Sequence, residues 1–346
     1  MSIQAEIHAA AGGFSIHAEL NAPTGSCTAI VGPNGAGKTT LIHALAGLIP
    51  LQQGKVVLAG QVVDDSARGI HLPPDRRPIA LHSQHNLLFP HFSVVDNVAF
   101  GPRCSGLGTR LARQQAEDWL HKLGLADLAH LRPAQLSGGQ AQRVGLARAA
   151  ACQPEVLLLD ESLASLDAET RTDVRHLLAD IQATRVLITH DPVETRVLAD
   201  QLLVMEGGEI VQAGTPEAVA ADPRTPWTAG LLDINLLAGH AAGTEVALDC
   251  GLSLTTATPM TGPVLVTFSP AAVTLSTAQP HTSARNTWES EVARIQPEGD
   301  RVRVLLGAPA PCHVWVTPQA ASELGLSAGS RCWAALKATE LTVRDA

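Results

Sequence analysis

Residues 32–39 read Gly-Pro-Asn-Gly-Ala-Gly-Lys-Thr, a GxxxxGK[ST] pattern set directly after the apolar run Cys27–Val31 and before a helical pattern. No other feature constrains the fold as much, because such a loop joins a buried strand to a helix in α/β proteins. The glycines let backbone N–H groups turn inward around phosphate oxygens. The N-terminus of the following helix adds a favourable partial charge. Lys38 is placed to reach the outer phosphates, and the Thr39 hydroxyl to ligate Mg2+. Gly32, Pro33, Asn34, Gly35, Ala36, Gly37, Lys38, Thr39 and Thr40 are therefore the expected phosphate-binding residues.

The first 230 or so residues continue this alternation. CTAIV (27–31), VLLL (156–159) and RVLIT (185–189) are short apolar runs that end at polar or glycine-rich segments, as buried parallel strands do. TLIHALAGL (40–48) and AQRVGLARAAA (141–151) read as helices, with Pro50 and Pro154 expected to stop them.

Two further segments carry chemistry. VLLLDE (156–161) brings Asp160 to a strand end, where it can hold Mg2+ through water, and Glu161 next to it is the candidate to polarise an attacking water. In Leu136-Ser137-Gly138-Gly139-Gln140, Ser137 is a natural N-cap and the glycines open a helix, which makes a second anion-binding helix start. That turn cannot wrap the phosphates held by loop 32–39 without large movement. Two copies of the chain, each giving one loop and one turn, solve this with two sites per symmetric dimer.

LSGGQ with the preceding Gly32–Thr39 loop and the following Asp160-Glu161 pair resembles the ABC ATPase family, over residues 1 to about 230. The resemblance implies ATP and Mg2+ as ligands and catalytic roles for Glu161, His190, Lys38 and Gln84. Gln84, in LHSQHNLLFPH, is similar to the glutamine that contacts Mg2+ and couples to the membrane subunit. Residues 164–167, ASLD, resemble the D-loop, with Asp167 near nucleotide. His190, in ITHD, resembles the switch histidine that senses the γ-phosphate. The same likeness implies a helical subdomain at about 85–135, a homodimer, integral membrane permease subunits, an indirect extracytoplasmic solute-binding protein, and a place on the cytoplasmic face of the membrane. Three departures stand out: Ser162 replaces the usual proline, His82-Ser83 replaces a common aromatic, and the chain has no tyrosine. Phe14 is the candidate adenine-stacking ring, although GGFSIHAEL more readily makes it a core strand residue.

Beyond this region, Gly, Ala and Thr dominate 231–262, which reads as a linker with irregular strands. Residues 263–346 then carry short, partly alternating runs, VLVTF (264–268), VTLS (273–276), WESEVARI (288–295), DRVRVLL (300–306), CHVWV (312–316) and RCWAAL (331–336), with one helix in QAASELGLSAG (319–329). A small β-barrel or sandwich is predicted. This part resembles the TOBE domain of importer ATPases, more narrowly its molybdate-binding type, and 67–94 and DESLASLD (160–167) resemble molybdate importer ATPases. The implied solute is molybdate or tungstate; the alternatives are sulfate, iron or another solute, and, more distantly, a soluble non-transport ABC ATPase. Ser283, Arg285, Asn286, Lys337 and Thr339 offer donors for an oxyanion; the other reading makes Arg285 and Lys337 solvated barrel residues and Asn286 a turn residue.

Composition excludes other classes. A formal charge of −9 argues against a nucleic-acid binder, so no nucleic acid partner is expected. The 6 cysteines are scattered without a CxxC pair, which argues against a metal knuckle or a disulfide framework. No signal peptide is expected in MSIQAEIHAAAGGF, and no apolar stretch reaches the ~18–20 residues that span a bilayer.

Overall fold

Strands covered on both faces have no polar side to show, and Cys27–Val31, Val156–Asp160 and Thr184–Ile188 are buried at every position. In the computed structural model, which describes residues 1–83 and 87–346, they form the middle of the first of two units, Met1–Arg224 and Thr225–Ala346.

The first unit opens with the hairpin β1 (Ile3–Ala11) and β2 (Phe14–Ala22), followed by β3 (Cys27–Val31) and the helix α1 (Lys38–Ala46). Strands β4 (Gln53–Leu58), β5 (Gln61–Asp65) and β6 (Ile70–His71) extend β1 as an antiparallel edge, and β7 (Ile79–His82) begins the opposite edge. Helices α2 (Val94–Cys104), α3 (Thr109–Lys122) and α4 (Gly138–Ala151) come next. Then β8 (Val156–Asp160), α5 (Ala168–Ala179), β9 (Thr184–Ile188), α6 (Pro192–Leu198), β10 (Gln201–Glu206), β11 (Glu209–Gly214) and α7 (Pro216–Ala221) close the unit. The 11 strands make one sheet in the order β6-β5-β4-β1-β2-β11-β10-β3-β9-β8-β7. Neighbours from β10 to β7 are parallel. The carboxyl ends of β3, β8 and β9 therefore deliver loop 32–37, Glu161 and His190 to one edge, where open α/β sheets bind ligands.

Helix α4 ends at Ala151, as expected, whereas α1 ends at Ala46, two residues short of expectation. Gly47, left-handed at φ 76, closes α1 three residues before Pro50, with its N–H on the Ala44 carbonyl. In α4, Gln153 takes φ 47 just past Cys152, so a non-glycine turn ends the helix before Pro154.

The second unit comprises α8 (Pro226–Leu231), β12 (Asn235–Leu248), β13 (Ser253–Phe268), β14 (Thr274–Ser276), β15 (Asn286–Glu298), β16 (Arg301–Leu306), β17 (Cys312–Val316), α9 (Pro318–Glu323), β18 (Arg331–Leu336) and β19 (Thr342–Asp345). It holds a 3-stranded sheet, β12-β13-β19, and a 5-stranded one, β14-β18-β15-β16-β17. One core, including Val264, Phe268, Trp288, Val304 and Ala334, lies under both. Here the expected linker at 231–262 is corrected: most of it is the antiparallel pair β12 and β13, with Val246, Leu248 and Leu254 buried. The small residues there suit close strand packing as well as they suit a linker. Asn286 is no turn residue either, because it starts β15 and is buried.

Candidate active site

The phosphate loop needs backbone without side chains at two points. At Gly32 (φ 156) a Cβ would sit 2.0 Å from the Met205 carbonyl oxygen. At Gly37 (φ 103) it would meet Ile16 at 2.6 Å and Phe14 at 3.1 Å. Both requirements explain the glycines by space as well as by conformation. Pro33 also accepts the Ala36 N–H, which tightens the turn, whereas Asn34 and Gly35 face solvent. Phe14, exposed at 37%, thus borders the loop at the start of β2 and is not a core strand residue.

Lys38, the first residue of α1, is buried, and its Nζ donates to the carbonyls of Gly32 (2.7 Å) and Pro33 (2.8 Å). Burial pulls its pKa down, against the opposing carboxylates of Glu161 and Asp160. Asp160 is buried at the end of β8, and burial raises its pKa despite a hydrogen bond from the Thr39 side chain. A desolvated carboxylate beside a hydroxyl fits a hard cation such as Mg2+, which uses one or two protein oxygens together with substrate phosphates. Among the described residues there is no group of three or more His, Cys, Asp or Glu that could hold a metal by itself. Thr40 follows Thr39 in the first turn of α1 and is half-buried.

Glu161 leaves β8 in the left-handed region at φ 50, a position that costs of order 1 kcal/mol in a side-chain-bearing residue. Its N–H donates to the Ile188 carbonyl (3.1 Å), and its own carbonyl accepts from Gln142 (3.0 Å). So held, the Glu161 carboxylate meets His190 Nε2 at 3.0 Å. These two side chains share a cleft of about 450 Å³ with Arg171, Thr189 and Asp191.

The histidine is framed on both sides. The Asp191 carboxylate caps α6 through the Val193 N–H (2.7 Å) and pairs with Arg175 (2.7 Å) and Arg171 (3.4 Å). The Thr189 hydroxyl donates to Glu194 (2.5 Å), whose carboxyl burial pushes upward in pKa. Arg171 also donates to the carbonyls of Ala164 (3.4 Å) and Leu166 (2.8 Å), which ties the 164–167 turn to the base of His190. Sequence reasoning missed Arg171, Arg175 and Gln142. Arg171 lies four residues past Asp167, and Gln142 two past Gln140, so proximity to the motifs was the available signal.

Ser137 caps α4, with the Gln140 N–H on its hydroxyl (3.3 Å) and its own N–H on Gln140 Oε1 (2.8 Å). That reciprocal pair occupies both side chains and leaves the remaining N–H groups of Gly138 and Gly139 facing outward at the helix start. Asp167 is likewise committed as the N-cap of α5, its carboxylate accepting from Thr170 (3.0 Å), a bond that lowers its pKa. Gln84 lies outside the described residues.

Of the five expected oxyanion residues, two share a cleft within the chain. Ser283 and Lys337 line a cleft of about 520 Å³ with Thr282 and Ser276, but the Glu340 carboxylate lines it too. Arg285 and Thr339 are exposed and outside that cleft's lining. Asn286 is corrected: its amide is spent on the Thr255 backbone, accepting from the N–H (2.6 Å) and donating to the carbonyl (2.9 Å).

Comparison with known proteins agrees with this geometry. Residues 17–164 match the ABC transporter family and residues 282–343 the TOBE domain. The molybdenum import ATP-binding protein ModC of Mycobacterium tuberculosis is 37% identical over 95% of this chain and 94% of its own. The molybdate/tungstate import ATP-binding protein WtpC of Pyrococcus abyssi is 34% identical over 91% of each. The Fe(3+) ions import ATP-binding protein FbpC of Agrobacterium fabrum is 41% identical over 62% of this chain. Among solved structures, the dimeric bacterial ABC transporter cassette MJ0796 superposes with a TM-score of 0.54 at 26% identity, covering 62% of this chain and 98% of its own. With a phosphate loop, an acidic strand end and a strand-end histidine at one sheet edge, and with similarity that runs through the second unit, this chain belongs to the ATP-binding subunits of ABC importers.

Proposed function

We propose that the chain is the ATP-hydrolysing subunit that energises a molybdate or tungstate importer. The observation that carries the ATPase half is the 3.0 Å contact between Glu161 and His190, at the sheet edge that also delivers Lys38 and Asp160. ATP sits with its phosphates on Gly32–Thr39 of one copy and against the Ser137–Gln140 turn of a second. Glu161 holds and polarises the attacking water, and His190 and Lys38 offset the negative charge that spreads onto the γ-phosphate. Asp160, Thr39 and Gln84 are the residues to hold Mg2+, which when bound neutralises phosphate charge.

The solute assignment rests on the second unit. Iron and sulfate relatives match about two thirds of the chain or less, whereas the molybdate and tungstate relatives match through its C-terminal part. No helix among the described residues is long and apolar enough to cross a membrane, so transport requires permease subunits on whose cytoplasmic side this chain docks. Phe89, Phe92 and Phe100 form an exposed aromatic cluster, with ring centroids 4.6–6.1 Å apart, suited to that contact.

The test is uptake by cells lacking the chain, restored with wild type or with Glu161→Gln, comparing molybdate, tungstate, sulfate and ferric iron at trace concentration. Wild type is expected to restore molybdate and tungstate uptake. Glu161→Gln should bind ATP yet turn over about 10²–10⁴-fold more slowly and restore nothing. Restoration of another solute alone refutes the solute assignment and leaves the ATPase reading in place.

A further inference from the structure

Gln142 lies one turn into α4, two residues past the Ser137–Gln140 turn, and is 4% exposed. The residue makes contacts in three directions, two through its side-chain amide and one through its backbone. Nε2 donates to the Glu161 carbonyl at 3.0 Å. Oε1 accepts the Ser165 N–H at 3.2 Å and the Ser165 hydroxyl as well. Its backbone carbonyl accepts from His82 Nε2 at 3.1 Å, at the end of β7. An amide offers a donor and an acceptor on one planar group without charge at any ordinary pH, so glutamine suits the position by chemistry and by length. The first turn of α4 closes on the same segment: a Cβ on Gly139 would stand 3.4 Å from the Ser165 carbonyl oxygen.

Glu161 needs such support. Its backbone sits at φ 50, and a peptide rotation there would carry the carboxylate away from His190. The Ile188 carbonyl restrains the N–H side of the residue, and Gln142 restrains the carbonyl side. The helix that begins with the Ser137–Gln140 turn thereby grips both the base and the 164–167 turn of its own chain.

We infer that Gln142 is a positioning residue for ATP hydrolysis, locking the Glu161 backbone and the 164–167 turn to the helix that starts with Ser137–Gln140. It acts through Glu161 and touches no reacting atom, so this rests on the catalytic reading of Glu161 above. A turn pressed on by a second copy's nucleotide would pass that displacement to Glu161 through one buried amide.

The experiment measures steady-state ATP turnover of the full chain beside equilibrium binding of a non-hydrolysable ATP analogue. Gln142→Met keeps the volume and removes all three side-chain bonds. It should lower kcat by about 10–100-fold, the scale of a displacement near 1 Å, with KM and analogue affinity held within about twofold. Ser165→Ala, at an exposed position, removes one bond and should lower kcat about threefold. Gln142→Met at wild-type kcat, or losing analogue affinity in step with kcat, overturns the inference. If Gln142→Met does not fold, wild-type kcat in Ser165→Ala overturns it. Glu161→Gln is assayed alongside. Full turnover in that variant brings down the catalytic reading itself, whereas an inactive Glu161→Gln beside a normal Gln142→Met removes Gln142 alone.

Discussion

His82 shows what a single buried side chain fixes and what a sequence cannot display. It is 2% exposed, with Nε2–H on the Gln142 carbonyl and no partner for Nδ1 among the described residues. Burial pushes its pKa down from 6.5 to about 4, so the folded ring stays neutral while the unfolded ring takes up a proton. The sign follows: stability is fully present above pH 6.5 and is lost as pH falls toward 4. Between pH 7.5 and 5 wild type should lose about 2 kcal/mol more than His82→Gln, read from urea midpoints at both pH values. Equal losses would mean that His82 titrates as a solvated ring does. The motif residues were legible because phosphate chemistry restricts residue types at fixed spacing, as at Gly32, Lys38, Asp160 and Glu161. Gln142, Arg171 and Arg175 were not, since a polar residue on a helix looks the same whether it faces water or a backbone carbonyl. Phe14 was misplaced for a related reason: alternation in β2 assigns faces but does not reveal that the strand's first residue borders the phosphate loop.

At the scale of elements, α1 is held from its far end. Its N-terminus faces the phosphates, and its last carbonyls, Ala44 and Leu45, accept from Arg77 Nη1 at 3.3 and 3.0 Å. Arg77 Nε donates to Leu72 (2.8 Å), and Nη2 pairs with the buried Asp64 carboxylate. A cation at the C-terminal end complements the helix dipole, and the guanidinium supplies enough donors for every acceptor around it. Gly47 is required here as well, because a Cβ would fall 2.3 Å from Arg77 Nε. Removing Arg77 leaves the buried Asp64 carboxylate with His71 Nδ1 (3.1 Å) but without its ion-pair partner. Arg77→Met should therefore cost about 3–5 kcal/mol, measured by denaturant midpoint, and Arg77→Met combined with Asp64→Leu should recover much of it. A double variant no more stable than the single one would show that the carbonyl caps, rather than the Asp64 carboxylate deprived of Arg77, carry the loss. Helix existence was readable from periodicity, and so was the end of α4 at Ala151, but not the end of α1. The pattern ran to Leu48 with Pro50 as the stop, whereas the left-handed Gly47 ends the helix earlier.

At the scale of the whole chain, the boundary between units is where sequence and structure part most. Composition placed it near 230, with a linker to 262; the second unit begins at Thr225, whose hydroxyl caps α8 through the Thr228 N–H (3.1 Å). The length of β12 and β13 was missed, with only irregular strands and VLVTF (264–268) expected, because Ala, Gly and Thr carry their small-residue faces and a register shift between Gly243 and Glu245 breaks the alternation. Yet they hold the unit together. Val246, Leu248, Leu254 and Val264 enter its core, and the Asn235 amide pairs with the His313 backbone both ways at 2.8 Å, binding the start of β12 to β17. A fragment of residues 225–346 is therefore expected to melt cooperatively. A fragment of residues 263–346 lacks all of β12 and most of β13, so the retained end of β13 pairs with β19 but loses its other neighbour, and the core beneath both sheets opens to water. Losing three buried aliphatic side chains, Val246, Leu248 and Leu254, at about 1.5–3 kcal/mol each is comparable with the whole stability of a domain this small, so the shorter fragment should be unfolded at 25 °C. Circular dichroism melts of the two fragments decide it. Matching cooperative transitions would mean that residues 225–262 are dispensable and that the domain starts where composition first placed it.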